Sequence, residues 1–163
     1  MNLIIDIGNS RVKCAVVTDR TIVARREHDV VTREWLQQII NDFPDICRAI
    51  VSTTRQNLGE VEMMLREMVD YVVGFQSGVT PIPIGNDYHT PLTLGADRLA
   101  AAVGGVMLYP GYDLMIVDFG TAITIDFVEG GSFRGGNISP GVTTRFRALA
   151  DYTARLPMCS PVD

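Results

Sequence analysis

A carboxylate followed by a glycine and small polar residues stands near the N-terminus, in the run Asp6-Ile7-Gly8-Asn9-Ser10-Arg11-Val12-Lys13. An aspartate at a strand end can hold a hydrated Mg²⁺ ion, and a glycine after it lets the backbone approach a phosphate without a Cβ clash. The N–H groups of residues 8–10 can then point at phosphate oxygens, while Lys13 adds a positive charge. For one copy alone, an ordinary hairpin turn is the favoured interpretation.

The same pattern returns in the run Asp118-Phe119-Gly120-Thr121-Ala122, again directly after an apolar stretch. An unpaired buried carboxylate is costly, so neither Asp6 nor Asp118 is expected at a strand end for stability alone. Two such loops suggest that a polyphosphate is held from opposite sides. The reaction that this arrangement favours is phosphoryl transfer, in which most of the catalysis is positioning and charge neutralisation.

An acidic and a basic residue stand between the two loops, where Tyr88 is followed by the run Gly95-Ala96-Asp97-Arg98. Asp97 falls in the first turn of a predicted helix, where the helix dipole favours a carboxylate, so a purely structural role explains it well. An aspartate in a cleft is also the expected base for accepting the proton of an alcohol. Arg98 can bind a carboxylate through two hydrogen bonds, and Tyr88 can line the same pocket.

A glycine-rich run precedes the last predicted helix and reads Gly135-Gly136-Asn137-Ile138-Ser139-Pro140-Gly141. One interpretation is a long loop beside the acceptor or the phosphates, with backbone donors near a helix N-terminus. The other is a strand-to-helix turn in which Pro140 and Gly141 only set the angle. The two interpretations are evenly balanced.

The elements that must position these residues are predicted from the spacing of apolar residues. Alternating and β-branched runs predict strands, and apolar residues at helical spacing predict helices. The predicted strands cover residues 3–7, 12–17, 21–25, 46–52, 114–119, 123–128 and 133–138, and the predicted helices cover 33–43, 58–68, 96–108 and 141–150. The order strand, D-x-G turn, strand, turn, strand therefore occurs twice.

This repeated unit resembles the duplicated fold of actin, sugar kinases and Hsp70. The resemblance implies an α/β protein of the ribonuclease H-like type with mixed sheets, in which two domains face each other across a cleft. Residues 1–110 are expected to form the N-terminal domain, and residues 111–163 the first part of a C-terminal domain. The second copy has no sequence left for its later helix and strand, so the second domain is expected to be truncated.

Composition and charge exclude several other classes of protein. The chain is 47% apolar and 20% charged, with a formal net charge of −5 and no cluster of basic residues, so we expect a globular protein whose partners include neither nucleic acid nor a membrane. The N-terminus does not read as a signal peptide, and no apolar run approaches a membrane span. The three dispersed cysteines indicate reduced thiols in the cytoplasm.

The motifs D-x-G-N-S-x-x-K, G-A-D-R, D-x-G-T-A and G-G-N-I-S-P-G, in this order, resemble those of the type III pantothenate kinases. The resemblance spans residues 6–141. It implies transfer of the γ-phosphoryl group of ATP to the primary hydroxyl of pantothenate, the first step of coenzyme A biosynthesis. It also implies Mg²⁺, a monovalent cation (K⁺ or NH₄⁺) and a homodimer.

The resemblance also implies a role for each matching position. Asp97 is the implied catalytic proton acceptor, and the implied pantothenate-binding residues are Tyr88, Gly95, Ala96, Asp97 and Arg98. The residues implied to contact ATP are Asp6, Ile7, Gly8, Asn9, Ser10, Arg11, Val12, Lys13 and Thr121. Asp118 is implied to bind the monovalent cation, and Asp6 is expected to hold Mg²⁺ through water.

Two other functions stay open. A non-catalytic binding or regulatory protein can share the fold, because a fold does not determine a function. Asp97, Arg98 and the two phosphate loops count against it, since a pure interaction protein needs none of them. Another small-molecule kinase of the superfamily, for sugar or acetate, is disfavoured by the G-A-D-R run with Tyr88 upstream. The 163 residues alone are expected to be weakly active or inactive.

Overall fold

The computed structural model of the protein describes residues 1–19, 21–55 and 57–160. Its contacts divide the chain into two compact units. The first unit comprises Met1–Pro81 and Leu92–Asp97, and the second comprises Ile82–Pro91 and the chain from Arg98 onwards. The domain division at residue 110 stays a prediction.

A five-stranded mixed sheet forms the centre of the first unit. β1 pairs with β2 antiparallel and with β4 parallel, so the strand that carries Asp6 is the middle one. Alternate residues of β1 are buried, which leaves Asp6 on the opposite face from the core. The strands are β1 (Asn2–Ile7), β2 (Val12–Thr18), β3 (Thr21–His28), β4 (Arg48–Thr53) and β5 (Tyr71–Gly74), in the order β3-β2-β1-β4-β5.

Two capped helices pack on the buried face of this sheet. α1 (Arg33–Asp42) begins where the Thr32 hydroxyl accepts a hydrogen bond from the Trp35 N–H at 3.2 Å. α2 (Leu58–Arg66) begins where the Asn57 side chain accepts one from the Gly59 N–H at 3.1 Å. The core of the first unit joins the apolar faces of the helices to those of the strands and contains, among others, Leu3, Ile5, Ile7, Val12, Leu36, Ile39, Val51, Val61 and Leu65.

The second unit contains a four-stranded sheet with the order β6-β9-β8-β7. Its strands are β6 (Gly85–Asn86), β7 (Leu114–Phe119), β8 (Ala122–Glu129) and β9 (Ser132–Pro140). α3 (Ala96–Leu108) precedes β7, and α4 (Val142–Tyr152) follows β9. Within the described residues, β7 is an edge strand, and its exposed side chains include Met115, Val117 and Phe119. The buried apolar residues of this unit are Ile84, Leu99, Ala102, Val128 and Phe133.

The predicted α/β class with mixed sheets is confirmed. The two copies of the repeated unit are present as consecutive antiparallel strands, β1-β2-β3 and β7-β8-β9. Of the two interpretations of residues 135–141, the long loop is wrong, because β9 continues to Pro140 along its partner β8. The short strands β5 and β6 were not predicted. In the part of the chain that the structure describes, no helix has the length and apolarity that a membrane crossing requires.

Candidate functional site

Asp6 lies one residue before the end of β1 and shares a face with two polar neighbours. Lys13 is its register partner on β2, and Ser52 is its partner on β4. Residues directly opposite each other on paired strands project to the same side, so these three side chains form a row across the sheet. The Ser52 hydroxyl donates a hydrogen bond to Asp6 Oδ1 at 3.2 Å. The sequence predicted Asp6 and Lys13 as site residues but not Ser52.

The turn after Asp6 is closed by its own backbone. The Gly8 N–H donates to the Arg11 carbonyl at 3.0 Å, so it serves the turn and does not point outward as the sequence predicted. Asn9 and Ser10 are exposed at the tip of the turn. The side chains of Ile7 and Val12 are buried in the core at 0% exposure, so a ligand of this turn can reach those two residues only through their backbone.

The second D-x-G turn joins β7 to β8 and is held by the start of α4. Its Asp118 is exposed, so the cost of burying an unpaired carboxylate does not arise at this strand end. The physical reason is that β7 lies at the edge of its sheet within the described residues. The Thr121 carbonyl accepts hydrogen bonds from the Gly141 N–H at 2.9 Å and from the Thr144 hydroxyl at 2.8 Å.

Gly141 has a packing role that its position in a Pro-Gly pair did not reveal. A Cβ atom at this position would lie 2.0 Å from the Gly120 carbonyl oxygen and 2.8 Å from that of Thr121. Real Cβ atoms essentially never approach other atoms this closely. The glycine therefore allows the α4 N-terminus to contact the D-x-G-T turn, which goes beyond setting the angle between strand and helix.

The most deeply buried charges belong to an ion pair of Arg98 and Asp126 in the second unit. Arg98 Nε lies 3.1 Å from both carboxylate oxygens of Asp126, and Arg98 Nη2 lies 2.5 Å from Oδ1. The two side chains are 10% and 2% exposed. The hydrogen bond to Asp126 raises the pKa of Arg98 above its ordinary value, against the opposing effect of burial.

Tyr88 completes this cluster. Its electrostatic and hydrogen-bonding effects add to those of Asp126 and further raise the pKa of the Arg98 guanidinium. Its ring lies 6.1 Å from that of Phe133 between centroids, at an interplanar angle of 57°. Gly135 has a φ of +114°, a conformation that favours glycine, and a Cβ there would lie 3.5 Å from Tyr88 Cδ2. The structure thus brings together Tyr88 and Arg98, two of the predicted acceptor-binding residues.

Asp97 is exposed in the first turn of α3, directly before Arg98, with Gly95 and Ala96 half-buried just upstream. Asp126 was not predicted from the sequence, although a signal was present. A charged residue in the middle of the apolar run Ile123–Val128 must find a partner if it is buried. Asp126 sits on the same face of β8 as the buried Val128, two residues along the strand.

The carboxylates of the two turns are compatible with the implied cations. Within the described ranges, no group of three or more His, Cys, Asp or Glu side chains is placed to hold a metal ion. Mg²⁺ does not require such a group, because it keeps several waters and binds through one or two carboxylates together with phosphates. Asp6, oriented by Ser52, supplies a carboxylate of this kind, and the exposed Asp118 supplies oxygen ligands beside the carbonyls of its turn.

Comparison with known proteins points to one family. The family model for type III pantothenate kinase matches residues 2–162. A type III pantothenate kinase from Phocaeicola vulgatus is 38% identical over 161 residues, which cover 98% of this chain and 66% of that protein. The chain therefore spans slightly less than two thirds of the length of this relative.

Solved structures with low sequence identity share the fold. A protein described as a Baf family transcriptional activator, from Campylobacter jejuni, superposes with a TM-score of 0.57 at 22% identity, covering 93% of this chain and 61% of that one. A protein described as a 2-dehydro-3-deoxygalactonokinase, from Sinorhizobium meliloti, gives a TM-score of 0.55 at 12% identity, covering 94% and 58%. The chain therefore shares its α/β fold with these two proteins.

Proposed function

This chain belongs to the type III pantothenate kinase family, and on that premise we propose that it carries out the transfer of the ATP γ-phosphoryl group to pantothenate, which gives 4′-phosphopantothenate. The observation that carries the proposal is the match of the family model over residues 2–162, a range that contains every motif residue of the candidate site. The product would enter coenzyme A biosynthesis.

Asp97 is the proposed proton acceptor. Its exposed position in the first turn of α3 leaves the carboxylate accessible from solvent, where a substrate hydroxyl can reach it. A positioned general base contributes about 10²- to 10⁴-fold to the rate of such a step. In this mechanism Asp97 takes the proton of the primary hydroxyl as that oxygen attacks the γ-phosphorus, and the nucleoside diphosphate leaves.

Arg98 and Tyr88 are the proposed acceptor-binding residues, together with the backbone of Gly95 and Ala96. Arg98 carries a permanent positive charge that suits an acid such as pantothenate. Its Nε and Nη2 atoms bind Asp126, so a substrate carboxylate would approach from the Nη1 side of the guanidinium. Tyr88 adds a ring face and a hydroxyl next to that charge.

The D-x-G turns are the proposed contacts for ATP, one in each unit. In the first unit, residues 6–13 would bind phosphate through the turn tip and through Lys13, which lies opposite Asp6. In the second unit, Thr121 would contact ATP. Asp6 would hold Mg²⁺ through water and Asp118 a K⁺ or NH₄⁺ ion, and these cations would neutralise charge on the phosphates.

Location in the cytoplasm and assembly as a homodimer belong to the same proposal. Family membership supports both, and the free state of Cys14, Cys47 and Cys159 agrees with a reducing compartment.

The proposal is tested by an acceptor panel. The intact protein is incubated with Mg·ATP and with pantothenate, a set of sugars or acetate, and ADP release is followed in a coupled assay with and without K⁺. We expect ADP release above background only with pantothenate, and several-fold faster release with K⁺. Equal or faster release with a sugar or acetate would overturn the assignment of the acceptor, and no release with any acceptor would favour a non-catalytic protein.

A further inference from the structure

Asp126 is the buried charged residue that the proposed reaction leaves without a role. Its residue exposure is 1%, and the only other buried polar residue of the described chain is Ser77. A carboxylate in a mostly apolar environment is stabilised only where a charged partner and hydrogen bonds replace its water. Arg98 provides both, through the Nε and Nη2 contacts with the Asp126 carboxylate.

The position of Asp126 in the sheet explains how it reaches Arg98. Asp126 lies in the middle of β8, where its register partners are Ile116 on β7 and Gly136 on β9. A Cβ atom at Gly136 would lie 2.6 Å from Asp126 Oδ1 and 2.0 Å from the Ile125 carbonyl oxygen. The absent side chain of Gly136 therefore leaves the space that the Asp126 carboxylate occupies.

The contact fixes the orientation of the guanidinium. An arginine side chain has many rotamers and five N–H donors in a rigid plane. Two carboxylate oxygens that bind its Nε–Nη2 edge define that plane and the direction of the remaining Nη1 side. The guanidinium plane is therefore set by a carboxylate from β8, a strand far from Arg98 in the sequence.

We propose that Asp126 is a positioning residue, which holds Arg98 in the orientation that binds the acidic acceptor, with Gly136 as the position that makes room for it. The proposal rests on the proposed function of Arg98 as an acceptor-binding residue. Asp126 does not touch substrate and takes no proton. Its effect is expected on the binding of the acceptor and not on the binding of ATP.

The first test asks whether Asp126 holds the Arg98 guanidinium in place, and it does not depend on enzyme activity. In ¹H–¹⁵N spectra of the side chains, the Nε–H group of Arg98 is expected to exchange with water at least roughly tenfold more slowly than that of Arg33, since the latter binds Glu67 in an exposed pair. Asp126→Asn is expected to abolish the slow exchange, whereas the control Glu67→Gln leaves it unchanged. Equally fast exchange of Arg98 and Arg33 in the wild-type protein would overturn the proposal.

The second test asks whether Asp126 affects the binding of the acceptor, and it uses steady-state kinetics of the intact protein. Asp126→Asn is expected to raise KM for pantothenate and to lower kcat/KM roughly 10- to 100-fold, with KM for ATP unchanged within twofold. Asp126→Glu keeps the charge but displaces it, so its kcat/KM for pantothenate should lie between those of the wild type and Asp126→Asn. In an Arg98→Lys background, Asp126→Asn should have little further effect, because residues that act through one another are not additive.

The outcomes of these experiments distinguish a failure of the positioning role of Asp126 from a failure of the proposed kinase function. An equal effect of Asp126→Asn on both substrates, or full additivity with Arg98→Lys, would indicate a merely structural role and overturn the positioning proposal. If Asp126→Asn does not fold, the exchange rate of Arg98 in the wild-type protein and the kinetics of Asp126→Glu decide. If the wild-type protein does not phosphorylate pantothenate, the proposed function fails, and the exchange measurement alone decides whether Asp126 positions Arg98.

Discussion

Gly136 offers a sharp test of how closely β8 and β9 pack beside the acceptor cluster. A Cβ atom at this position would lie 2.0 Å from the carbonyl oxygen of Ile125, which is about 1.4 Å short of ordinary van der Waals contact. The obstructing atom belongs to the backbone of the adjacent strand, so no side-chain rotation can relieve the overlap. Gly136→Ala must therefore push β9 away from β8 or displace the Asp126 carboxylate.

Overpacking of this kind typically costs 1–3 kcal/mol, and a backbone obstacle places Gly136→Ala near the upper end, at about 3 kcal/mol. For a chain of this size the corresponding loss in Tm is about 6–12 °C. Gly104→Ala is the matched control, because Gly104 lies within α3 and a Cβ there meets nothing within 4 Å. It should stabilise the helix by about 0.5–1 kcal/mol.

The assay is differential scanning calorimetry of both variants beside the wild type, with the exchange of the Arg98 Nε–H followed in the same samples. Gly136→Ala should melt lower and lose the slow exchange, while Gly104→Ala should melt slightly higher and keep it. A Gly136→Ala variant that melts within about 2 °C of the wild type and keeps slow exchange would refute the reasoning.

Further predictions concern the cysteines and the exposed ion pair of Arg33 and Glu67. Burial raises the pKa of the Cys14 thiol, with a hydrogen bond from the Arg26 backbone and the Arg26 charge acting in the opposite direction. The thiol therefore ionises at lower pH in the unfolded chain than in the folded one, so the free energy of unfolding should fall as the pH rises past the ordinary thiol pKa. Cys14→Ala should lessen this loss in urea melts taken across alkaline pH. An equal dependence of the unfolding free energy on pH in the wild type and the variant would contradict the prediction. A thiol reagent should modify the two exposed cysteines quickly and Cys14 only after denaturation. The hydrogen bond from Arg33 lowers the pKa of Glu67, so this exposed pair stabilises the fold above the ordinary Glu pKa and loses its effect as the pH falls through the lowered value. Because both side chains are exposed, Glu67→Gln should leave the thermal midpoint at pH 7 within experimental error, and a clear drop would show that the pair matters more than its exposure suggests.

The sequence predicted the elements whose signals are local. α3 and β7 have the predicted bounds, because an alanine-rich helix and a continuous apolar run are each readable without their neighbours. The strand predicted over residues 133–138 is present, but its continuation to Pro140 was not predicted, because a run rich in glycine and proline disfavours a strand on propensity alone. Its pairing with β8 overrides that propensity, and glycine is required at position 136 because the Cβ of any larger residue would clash with the Ile125 carbonyl oxygen.

The candidate site was predicted only in part, because only its local motifs can be read from the sequence. Tyr88 and Arg98 were singled out by motif, and the structure brings them together. Asp126 and Ser52 were missed, since each acquires its importance from a partner far away in the sequence: Arg98 is 28 residues from Asp126, and Asp6 is 46 residues from Ser52. Register between strands cannot be read from either run separately.

Transfer of labelled phosphate from ATP to pantothenate, in single turnover by the intact protein and its Asp97→Asn variant, tests the central claim most directly. The matched control is Asp70→Asn, which neutralises another exposed aspartate outside the candidate site. We expect labelled phosphopantothenate from the wild type and the control, and a rate about 10²- to 10⁴-fold lower from Asp97→Asn, with ATP affinity unchanged. Near-wild-type transfer by Asp97→Asn, or no labelled product from the wild type, would contradict the account.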